Sequence, residues 1–511
     1  MIDSNLKKYS RNFAFDLSAS IVVFLVALPL CLGIAVASKA PPLAGLVAGI
    51  VGGIVVGVIS GSHVSVSGPA AGLTIIVAGA ITTSPSYEAF LCAVVLAGVF
   101  QVLFGALKAG KIGEYIPSPV IKGMLAAIGL ILILKQIPHL LGHDTVPEGD
   151  EEFLQPDGHN TFSELFNIAD DLSMSALIIG LVSMAILLLW ELSFFKRTPL
   201  LKLVPGSLVV VLVGVFLHEY LSSIHPEWAL SSNHLVNIPV TTTNAEFLGL
   251  IRTPDWSFLF HGKVLLAAIT IGIVASLESL LSIEASDKID PQKRFTPPNR
   301  ELIAQGTGNV VSGILGGLPV TAVIVRSSAN VSSGAQTKTS AILHGFLLLV
   351  CVYAFPALLN RIPLSALAAV LILVGYKLTK PSIFKELYKK GGNQFLPFIV
   401  TIIAILFTDL LIGILIGIIA GLYFIIKSNY ESALIMVQDE DRYLIKFKRS
   451  VSFLNRPVLK KMLSSVPPKS KLLIDTSRTE FLDADVEELI TDFLEQAKYK
   501  KISVELKERD Q

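Results

Sequence analysis

The chain has 511 residues, of which 52% are hydrophobic and only 16% are charged, and its formal net charge is +1. Soluble domains carry roughly 25% charged residues, so the composition excludes a soluble globular protein, and the near-neutral charge gives no argument for nucleic-acid binding. Apolar runs of about 20 residues recur along the chain, each long enough to cross the hydrocarbon core of a bilayer. Because these runs are continuous rather than alternating, a membrane β-barrel is excluded as well.

The runs predict an all-α polytopic membrane protein with about fourteen spans between residues 15 and 428, after a basic cytoplasmic segment 1–14. The first run is too long for the apolar part of a signal peptide and is expected to be a span. In the first half the predicted spans are Phe15–Ala37, Leu43–Ile59, Pro69–Ile81, Ala89–Leu107, Pro119–Ile137, Met174–Leu192 and Gly206–Leu221. In the second half they are Gly262–Ser286, Glu301–Gly317, Thr321–Ser333, Thr337–Phe355, Leu364–Leu378, Phe395–Thr408 and Leu410–Ile426.

Charged loops set the expected orientation. Basic residues fall on alternate loops, which places those loops in the cytoplasm. These residues are Lys7, Lys8, Arg11, Lys108, Lys111, Lys196, Arg197, Lys202, Lys288, Lys293, Arg294, Arg300, Lys377, Lys380, Lys385, Lys389 and Lys390. The loop His143–Asp171 on the other side is acidic. We therefore expect a multi-pass protein of the cell inner membrane with both termini cytoplasmic.

The two halves of the membrane region, about 15–221 and 262–428, share a motif. Ile116–Val120 leads into Leu125–Gly129, and Ile362–Ser365 leads into Leu367–Val370 followed by Gly375. Each stretch opens the fifth span of its half. Because each half has an odd number of spans, the repeats are inverted, as in many secondary transporters.

Composition changes after Lys427, and residues 429–511 are patterned like a small cytoplasmic α/β domain. Strands are predicted at Arg442–Lys448, Ser450–Leu454, Lys471–Asp475 and Ile502–Leu506, and helices at Pro457–Ser465 and Asp485–Lys498.

Two charged residues lie inside apolar runs. Glu278 is within Leu265–Ile283, and Arg326 follows the apolar stretch Leu318–Val325. A charge at membrane depth costs roughly 2.5–3.5 kcal/mol on insertion scales, so such residues usually face a cavity and handle a substrate. A structural ion pair between helices is the alternative.

The third and tenth spans are short and begin with small or β-tolerant residues, Ser62–Thr74 and Gly316–Val323. Each predicts an extended segment that becomes a half-helix at mid-membrane, where irregular backbone survives only around a cavity or inside protein. Two half-helix N-termini that face one cavity would form an anion site. The predicted anion-binding residues are Ala70, Ala71, Gly72, Ala322, Val323 and Arg326. Ordinary Gly/Pro kinks are the alternative.

Glu278 is the candidate coupling residue, because it can take a proton or hold a cation such as Na⁺ with oxygen ligands. Ser282 lies four positions later on the same helical face, and Thr321 completes the coupling set. Glu278 and Ser282 are the candidate Na⁺ ligands, and no other cofactor is predicted. Cys31, Cys92 and Cys351 all lie in apolar runs and show no zinc or disulfide spacing. No nucleophile or phosphate loop is visible, so an enzyme is not expected.

Several motifs together resemble the SulP anion permeases, which include cyanobacterial bicarbonate transporters, prestin and pendrin. The resemblance covers nearly the whole chain. It rests on Ser65–Gly72, Glu278–Ser282, Asn299–Asn309, and Gly316–Pro319 through Arg326–Asn330.

The resemblance implies a seven-plus-seven inverted repeat with core and gate bundles, a homodimer, elevator-like movement and a C-terminal STAS domain. Sodium-coupled bicarbonate members carry aspartate and threonine where this chain has Glu278 and Ser282, so proton coupling is a second possibility. Pro29-Leu30 in the first span is closer to the bicarbonate-type branch. Ala484 follows Asp483, where phosphorylated STAS domains carry serine.

The expected function is secondary transport of a small inorganic anion across the lipid bilayer, bicarbonate first and sulfate second, coupled to Na⁺ or H⁺. A sulfate or dicarboxylate proton symporter is the first alternative, and an uncoupled exchanger or channel is the second. A nucleobase permease of the same architecture is the third, although Arg326 and the tail argue against it.

Overall fold

The computed structural model describes residues 2–143, 172–192, 204–238, 240, 246, 249–448 and 450–507. Lys196, Arg197, Lys202 and all of the predicted acidic loop except His143 lie outside these residues. The chain divides into two compact units. One comprises Met1–Lys389 with Phe398–Ile418, and the other comprises Lys390–Pro397 with Ile419–Gln511.

The membrane region is built from apolar helices interrupted by two short strands, and its last two helices belong partly to the second unit. The helices of the first half are α1 (Ile2–Ala37), α2 (Pro42–Ile59), α3 (Ala71–Thr83), α4 (Tyr87–Ala106), α5 (Ser118–Leu141), α6 (Met174–Trp190) and α7 (Gly206–Ile224). Those of the second half are α8 (Gly262–Ile289), α9 (Pro298–Ile314), α10 (Ile324–Ser332), α11 (Thr339–Ala354), α12 (Leu364–Leu378), α13 (Gly392–Phe407) and α14 (Leu410–Ser432). The strands are β1 (Ser67–Pro69) and β2 (Val320–Ala322).

Each predicted span corresponds to one of these helices. The main difference is at the N-terminus, where α1 begins at Ile2 rather than after residue 14. Polar helix-forming residues there continue the helix beyond its apolar part. Among the described residues, eight helices are long and apolar enough to cross a membrane, and four shorter helices are also apolar. The protein is thus a mostly helical membrane protein, and the count of fourteen spans stays a prediction.

The helices of the first unit pack in two groups. Helices α1, α2, α4, α8, α9, α10 and α11 contact one another extensively, and α3 packs on α8. Helices α5, α6, α7 and α12 form the second group. Smaller contacts of α12 with α1 and α10, and of α5 with α8, join the two groups. That these two groups act as core and gate bundles, as the resemblance implies, stays a prediction.

Three pairs of glycines make close backbone contacts, each between a helix of the first half and a helix of the second half. A Cβ added to Gly98 on α4 would lie 2.5 Å from the Gly306 carbonyl oxygen on α9, and one added to Gly306 would lie 2.6 Å from the Gly98 oxygen. Gly53 on α2 and Gly345 on α11 approach each other in the same way. In the predicted repeat, α4 corresponds to α11 and α9 corresponds to α2. The α4–α9 contact and the α2–α11 contact are therefore equivalent positions of that repeat.

The third contact joins the two helices that carry the repeated motif. An added Cβ at Gly129 on α5 would lie 2.6 Å from the Gly375 oxygen on α12, and the reverse distance is also 2.6 Å. Small residues allow this backbone approach between membrane helices.

The C-terminal part of the second unit is an α/β module. Its sheet has the order β3-β4-β6-β8, in which β3 (Leu434–Asp439) is antiparallel to β4 (Arg442–Phe447), while β6 (Lys471–Asp475) and β8 (Ser503–Lys507) add in parallel. A pair β5 (Ser450–Val451) and β7 (Phe481–Leu482) stands apart, with helices α15 (Arg456–Ser464) and α16 (Ala484–Lys500). The α/β pattern is confirmed. The predicted strand Ser450–Leu454 was too long, because a 3₁₀ turn begins at Phe453, and β3 was not predicted.

The α4–α9 contact gives a first testable prediction. In Gly98→Ala the new methyl group has no room against the α9 backbone, and overpacking costs roughly 1–3 kcal/mol. We expect a lower midpoint of thermal unfolding for the detergent-purified protein. Gly79→Ala on α3 is the control, because nothing lies within 4 Å of its added Cβ. Equal midpoints for the two variants would contradict this packing.

Candidate functional site

Two extended segments meet inside the helical unit. Strands β1 and β2 are antiparallel, with Ser67 opposite Ala322, Gly68 opposite Thr321 and Pro69 opposite Val320. Every residue of both strands is buried. Proline and glycine in β1 disfavour a helix, whereas Val320 and Thr321 favour a strand. The two strands confirm the predicted extended segments.

Each strand leads directly into a helix. Helix α3 opens with the 3₁₀ turn Ala71–Leu73 directly after Ala70, and α10 begins at Ile324 after the extended residue Val323. Neither Ala70 nor Val323 has a side chain that can cap the first turn. The backbone N–H groups and the positive dipole end of each helix are therefore placed where its strand ends.

A small cavity of about 20 Å³ lies beside these helix starts. It is lined by residues of α1, α3, α5, α8, α10 and α14, together with the residue preceding α10. The lining residues are Leu30, Ile34, Ala71, Ile128, Glu278, Ser282, Val323, Ile324, Val325, Arg326 and Leu410. Glu278 and Arg326 provide the charges of this lining, and most of the remaining wall is aliphatic.

Arg326 is the third residue of α10, and its side chain has no solvent-exposed surface. Its Nη2 donates to Cys31 Sγ at 3.2 Å. Its Nε and Nη1 have no hydrogen-bond partner among the described residues. A thiol is a weak acceptor, so a buried positive charge here keeps donors for an anion.

Gly68 provides the space for the guanidinium group. A Cβ added to Gly68 would lie 1.9 Å from Arg326 Nη1. The glycine of β1 is therefore required by the close approach of a side chain from α10, and β1 contributes a boundary of the cationic site.

Glu278 is also buried, with 6% of its surface exposed. A Cβ added to Gly72 in α3 would lie 3.2 Å from its Oε1, so the carboxyl group packs against the start of α3. Ser282, one turn later on α8, lines the same cavity. A carboxylate and a hydroxyl group at this place are oxygen donors of the kind that Na⁺ uses, and the carboxylate alone can take a proton.

These features coincide with a match to a known family. The sulfate permease family matches the chain over residues 13–404. The chain belongs to this family. The bicarbonate transporter BicA of Picosynechococcus is 27% identical over 80% of this chain and 69% of its own length. The sodium-independent sulfate anion transporter of Bos taurus is 26% identical over 90% and 77%. The predicted resemblance is confirmed, and the protein is an anion transporter rather than an enzyme.

A solved structure extends the likeness in fold to nearly the whole chain. The murine Solute Carrier 26 family member A9 anion transporter, in an inward-facing state, superposes with a TM-score of 0.65. The match covers 96% of this chain and 85% of that one at 16% identity.

The permease brings together five of the predicted site residues, namely Ala71, Glu278, Ser282, Val323 and Arg326. Four others do not line the cavity. Ala70 directly precedes α3, and Gly72 packs against Glu278. Thr321 and Ala322 belong to β2, where the Thr321 hydroxyl donates to the Ala322 carbonyl at 3.3 Å. The role of each residue stays a prediction.

Three further acidic residues of the membrane region do not line the cavity. Glu284 pairs with Lys288 at 3.2 Å. Asp287 accepts hydrogen bonds from the backbone and side chain of Thr296. Asp409 accepts from the backbone N–H of Ile412 at 2.8 Å and caps α14.

The sequence alone predicted neither the apolar wall of the cavity nor the hydrogen-bond partner of Arg326. Leu30, Ile34, Ile128 and Leu410 sit among many equivalent aliphatic residues, and only helix packing selects them. Cys31 resembled a small buried hydrophobe, which gave no sign of its contact with Arg326.

The Gly68 contact gives a second prediction. In Gly68→Ala the methyl group displaces the guanidinium group, so we expect at least tenfold weaker anion binding, or about 1.4 kcal/mol. Equilibrium binding of sulfate and of bicarbonate to purified protein measures this. Gly262→Ala at the start of α8, where an added Cβ meets nothing within 4 Å, is the control. Unchanged affinity in the Gly68 variant would separate β1 from the anion site.

Proposed function

We propose that this permease is a secondary active transporter of a small inorganic anion, and that the anion binds beside Arg326 at the starts of α3 and α10. One observation carries the proposal. A fully buried guanidinium group keeps two nitrogen atoms that have no hydrogen-bond partner in the described part of the chain, and it lines a cavity at the start of a helix. Leaving a buried charge uncompensated is strongly unfavourable, so an anion is the group that this site is suited to bind.

Bicarbonate is the first substrate candidate and sulfate is the second. The cavity is small and mostly apolar, with a single arginine, which suits a monovalent anion held by few donors. Sulfate carries two charges and would depend more strongly on the helix dipoles. Relatives named for bicarbonate and for sulfate support both candidates about equally.

Coupling to a cation is assigned to Glu278. An uncoupled anion path gains nothing from a carboxyl group in the same cavity as the substrate. With Ser282 it offers Na⁺ two oxygen ligands, and protonation of Glu278 would neutralise the charge that repels the anion. Both Na⁺ and H⁺ remain candidates. Thr321 contributes to this site through its position next to the start of α10.

Alternating access is proposed to follow from the two groups of helices. The charged and small lining residues come from α3, α8 and α10, whereas Ile128 of α5 belongs to the second group. A boundary between the two groups therefore passes through the site. Movement of the first group past an apolar wall can carry the ion from one membrane face to the other, as in an elevator.

The remaining expectations are also part of the proposal. The permease is placed in the inner membrane as a homodimer with fourteen spans and both termini cytoplasmic. The C-terminal α/β module is assigned as a STAS-like domain. The alternative functions are a proton symporter for sulfate or dicarboxylates and an uncoupled anion exchanger or channel.

Uptake of labelled bicarbonate and sulfate into proteoliposomes, with a Na⁺ gradient and then a pH gradient, tests the function. We expect one of the two gradients to drive accumulation in the wild type. Arg326→Gln should lower uptake under every condition, because it removes the charge that binds the anion. No accumulation of either anion under either gradient would contradict a coupled transporter.

Glu278→Gln tests the coupling separately. The variant keeps the size of the side chain but cannot ionise, so gradient-driven accumulation should be lost while anion exchange between the two sides persists. Glu284→Gln on the same helix is the matched control, because Glu284 pairs with Lys288 outside the cavity. Accumulation that persists in the Glu278 variant would remove the carboxyl group from the coupling step.

A further inference from the structure

The outer edge of β2 is held by side chains instead of a third strand. The Asn309 side chain of α9 accepts from the Val320 N–H at 2.5 Å and donates to the Val320 carbonyl at 2.9 Å. The Ala322 N–H lies 3.4 Å from Ser279 Oγ on α8. The hydrocarbon core of a bilayer offers no water, so an unpaired strand edge at that depth needs hydrogen-bond partners from the protein. One amide side chain thus takes the place of a neighbouring strand at Val320.

Asn309 belongs to a row of buried polar residues on one face of α9. Glu301, Gln305 and Asn309 are spaced four residues apart, so they lie above one another on the helix. None has exposed surface. The Gln305 Nε2 donates to Ser67 Oγ on β1 at 2.7 Å and to Glu301 Oε1 at 2.8 Å. The row therefore bonds to both strands.

Both ends of the row also form hydrogen bonds with residues outside α9. Ser60, at the end of α2, donates to Glu301 Oε2 at 2.5 Å. Gln101 of α4 accepts from Asn309 Nδ2 at 2.5 Å. Glu301 and Asn309, at the two ends of the row, are thereby held by residues of other helices, and Gln305 between them is held by Ser67 of β1.

The two halves of the chain hold their strands differently. In the first half, α2 places Gly52 against β1, where an added Cβ would lie 2.4 Å from the Ser67 carbonyl oxygen. In the second half, α9 uses the amide of Asn309 on β2. The hydrogen bonds on the second half fix the strand that leads to Arg326, because Val320 precedes that residue by only six positions.

We propose that Asn309 and Gln305 are positioning residues of the anion site. They act through β2 and β1 and do not touch the anion. Asn309 fixes the direction in which β2 enters α10, and hence the place of the Arg326 guanidinium group. Gln305 fixes β1, whose Gly68 borders that group. This inference rests on the proposed function for its effect on anion affinity, but not for its effect on the position of Arg326.

Asn309→Ala is the main test, with sulfate and bicarbonate as probes in equilibrium binding to purified full-length protein. We expect the dissociation constant to rise at least tenfold. Thr307→Ala is the matched control on the same helix, because within the described residues the Thr307 hydroxyl donates to the Ile303 carbonyl of its own helix and not to either strand. Asn309→Asp keeps an acceptor for the Val320 N–H and should give an intermediate loss.

A second readout does not depend on anion binding. Cys31 is fully buried and contacts Arg326, so in a Cys92→Ala/Cys351→Ala background it reports the position of that residue. We expect N-ethylmaleimide to label Cys31 faster after Asn309→Ala and at the original rate after Thr307→Ala. If Asn309→Ala does not purify as a monodisperse protein, Gln305→Met, which keeps the side-chain volume, carries the same comparisons.

The outcomes separate the inference from the proposed function. Weaker anion binding and faster Cys31 labelling, with neither change in the Thr307 variant, support the positioning role. A lower unfolding temperature with unchanged affinity and unchanged labelling would overturn it, because Asn309 would then only stabilise the fold. A wild-type protein that binds neither anion would refute the proposed function, and the labelling would still decide the positioning role.

Discussion

The site depends on one constraint, which is that backbone polar groups inside a membrane need partners within the protein. A helix satisfies this requirement by itself, whereas an extended segment does not. Strands β1 and β2 satisfy part of it by pairing with each other, and side chains of α8 and α9 supply partners along the outer edge of β2. Because the two extended segments are stable only together, the two half-helices that follow them start at one place. The proposed anion site is a consequence of that pairing.

The need for partners within the protein also applies to the charged residues of the site. A buried arginine needs partners for its charge and its hydrogen-bond donors. Here its one hydrogen-bond partner among the described residues is a thiol. Binding energy for an anion is thus available without displacing a strong internal partner. Glu278 lies at the start of the other half-helix, next to Gly72. An arginine therefore lies at one helix start and a glutamate packs against the other, and the proposed binding of an anion and a cation near each other uses this asymmetry.

The helices and the two extended segments could be predicted from the sequence, because they depend on the preferences of neighbouring residues along the chain. Continuous apolar runs predict helices, and the small residues Ser67, Gly68 and Pro69 predict where a helix cannot form. The two isolated charges predict the cavity, since charge at membrane depth is costly wherever it lies. The strand Leu434–Asp439 was missed because its pairing with β4 comes from the folded module and not from its own pattern. Thr321 was expected in the coupling set, but it does not line the cavity, and its hydroxyl donates to the Ala322 carbonyl oxygen.

The most direct test of the account is a structure of the full-length permease determined with saturating sulfate and, separately, bicarbonate. The account predicts density for the anion between the first turns of α3 and α10, within hydrogen-bonding distance of Arg326 Nε or Nη1. Anion density elsewhere in the membrane region, with Arg326 still bonded only to Cys31, would contradict it.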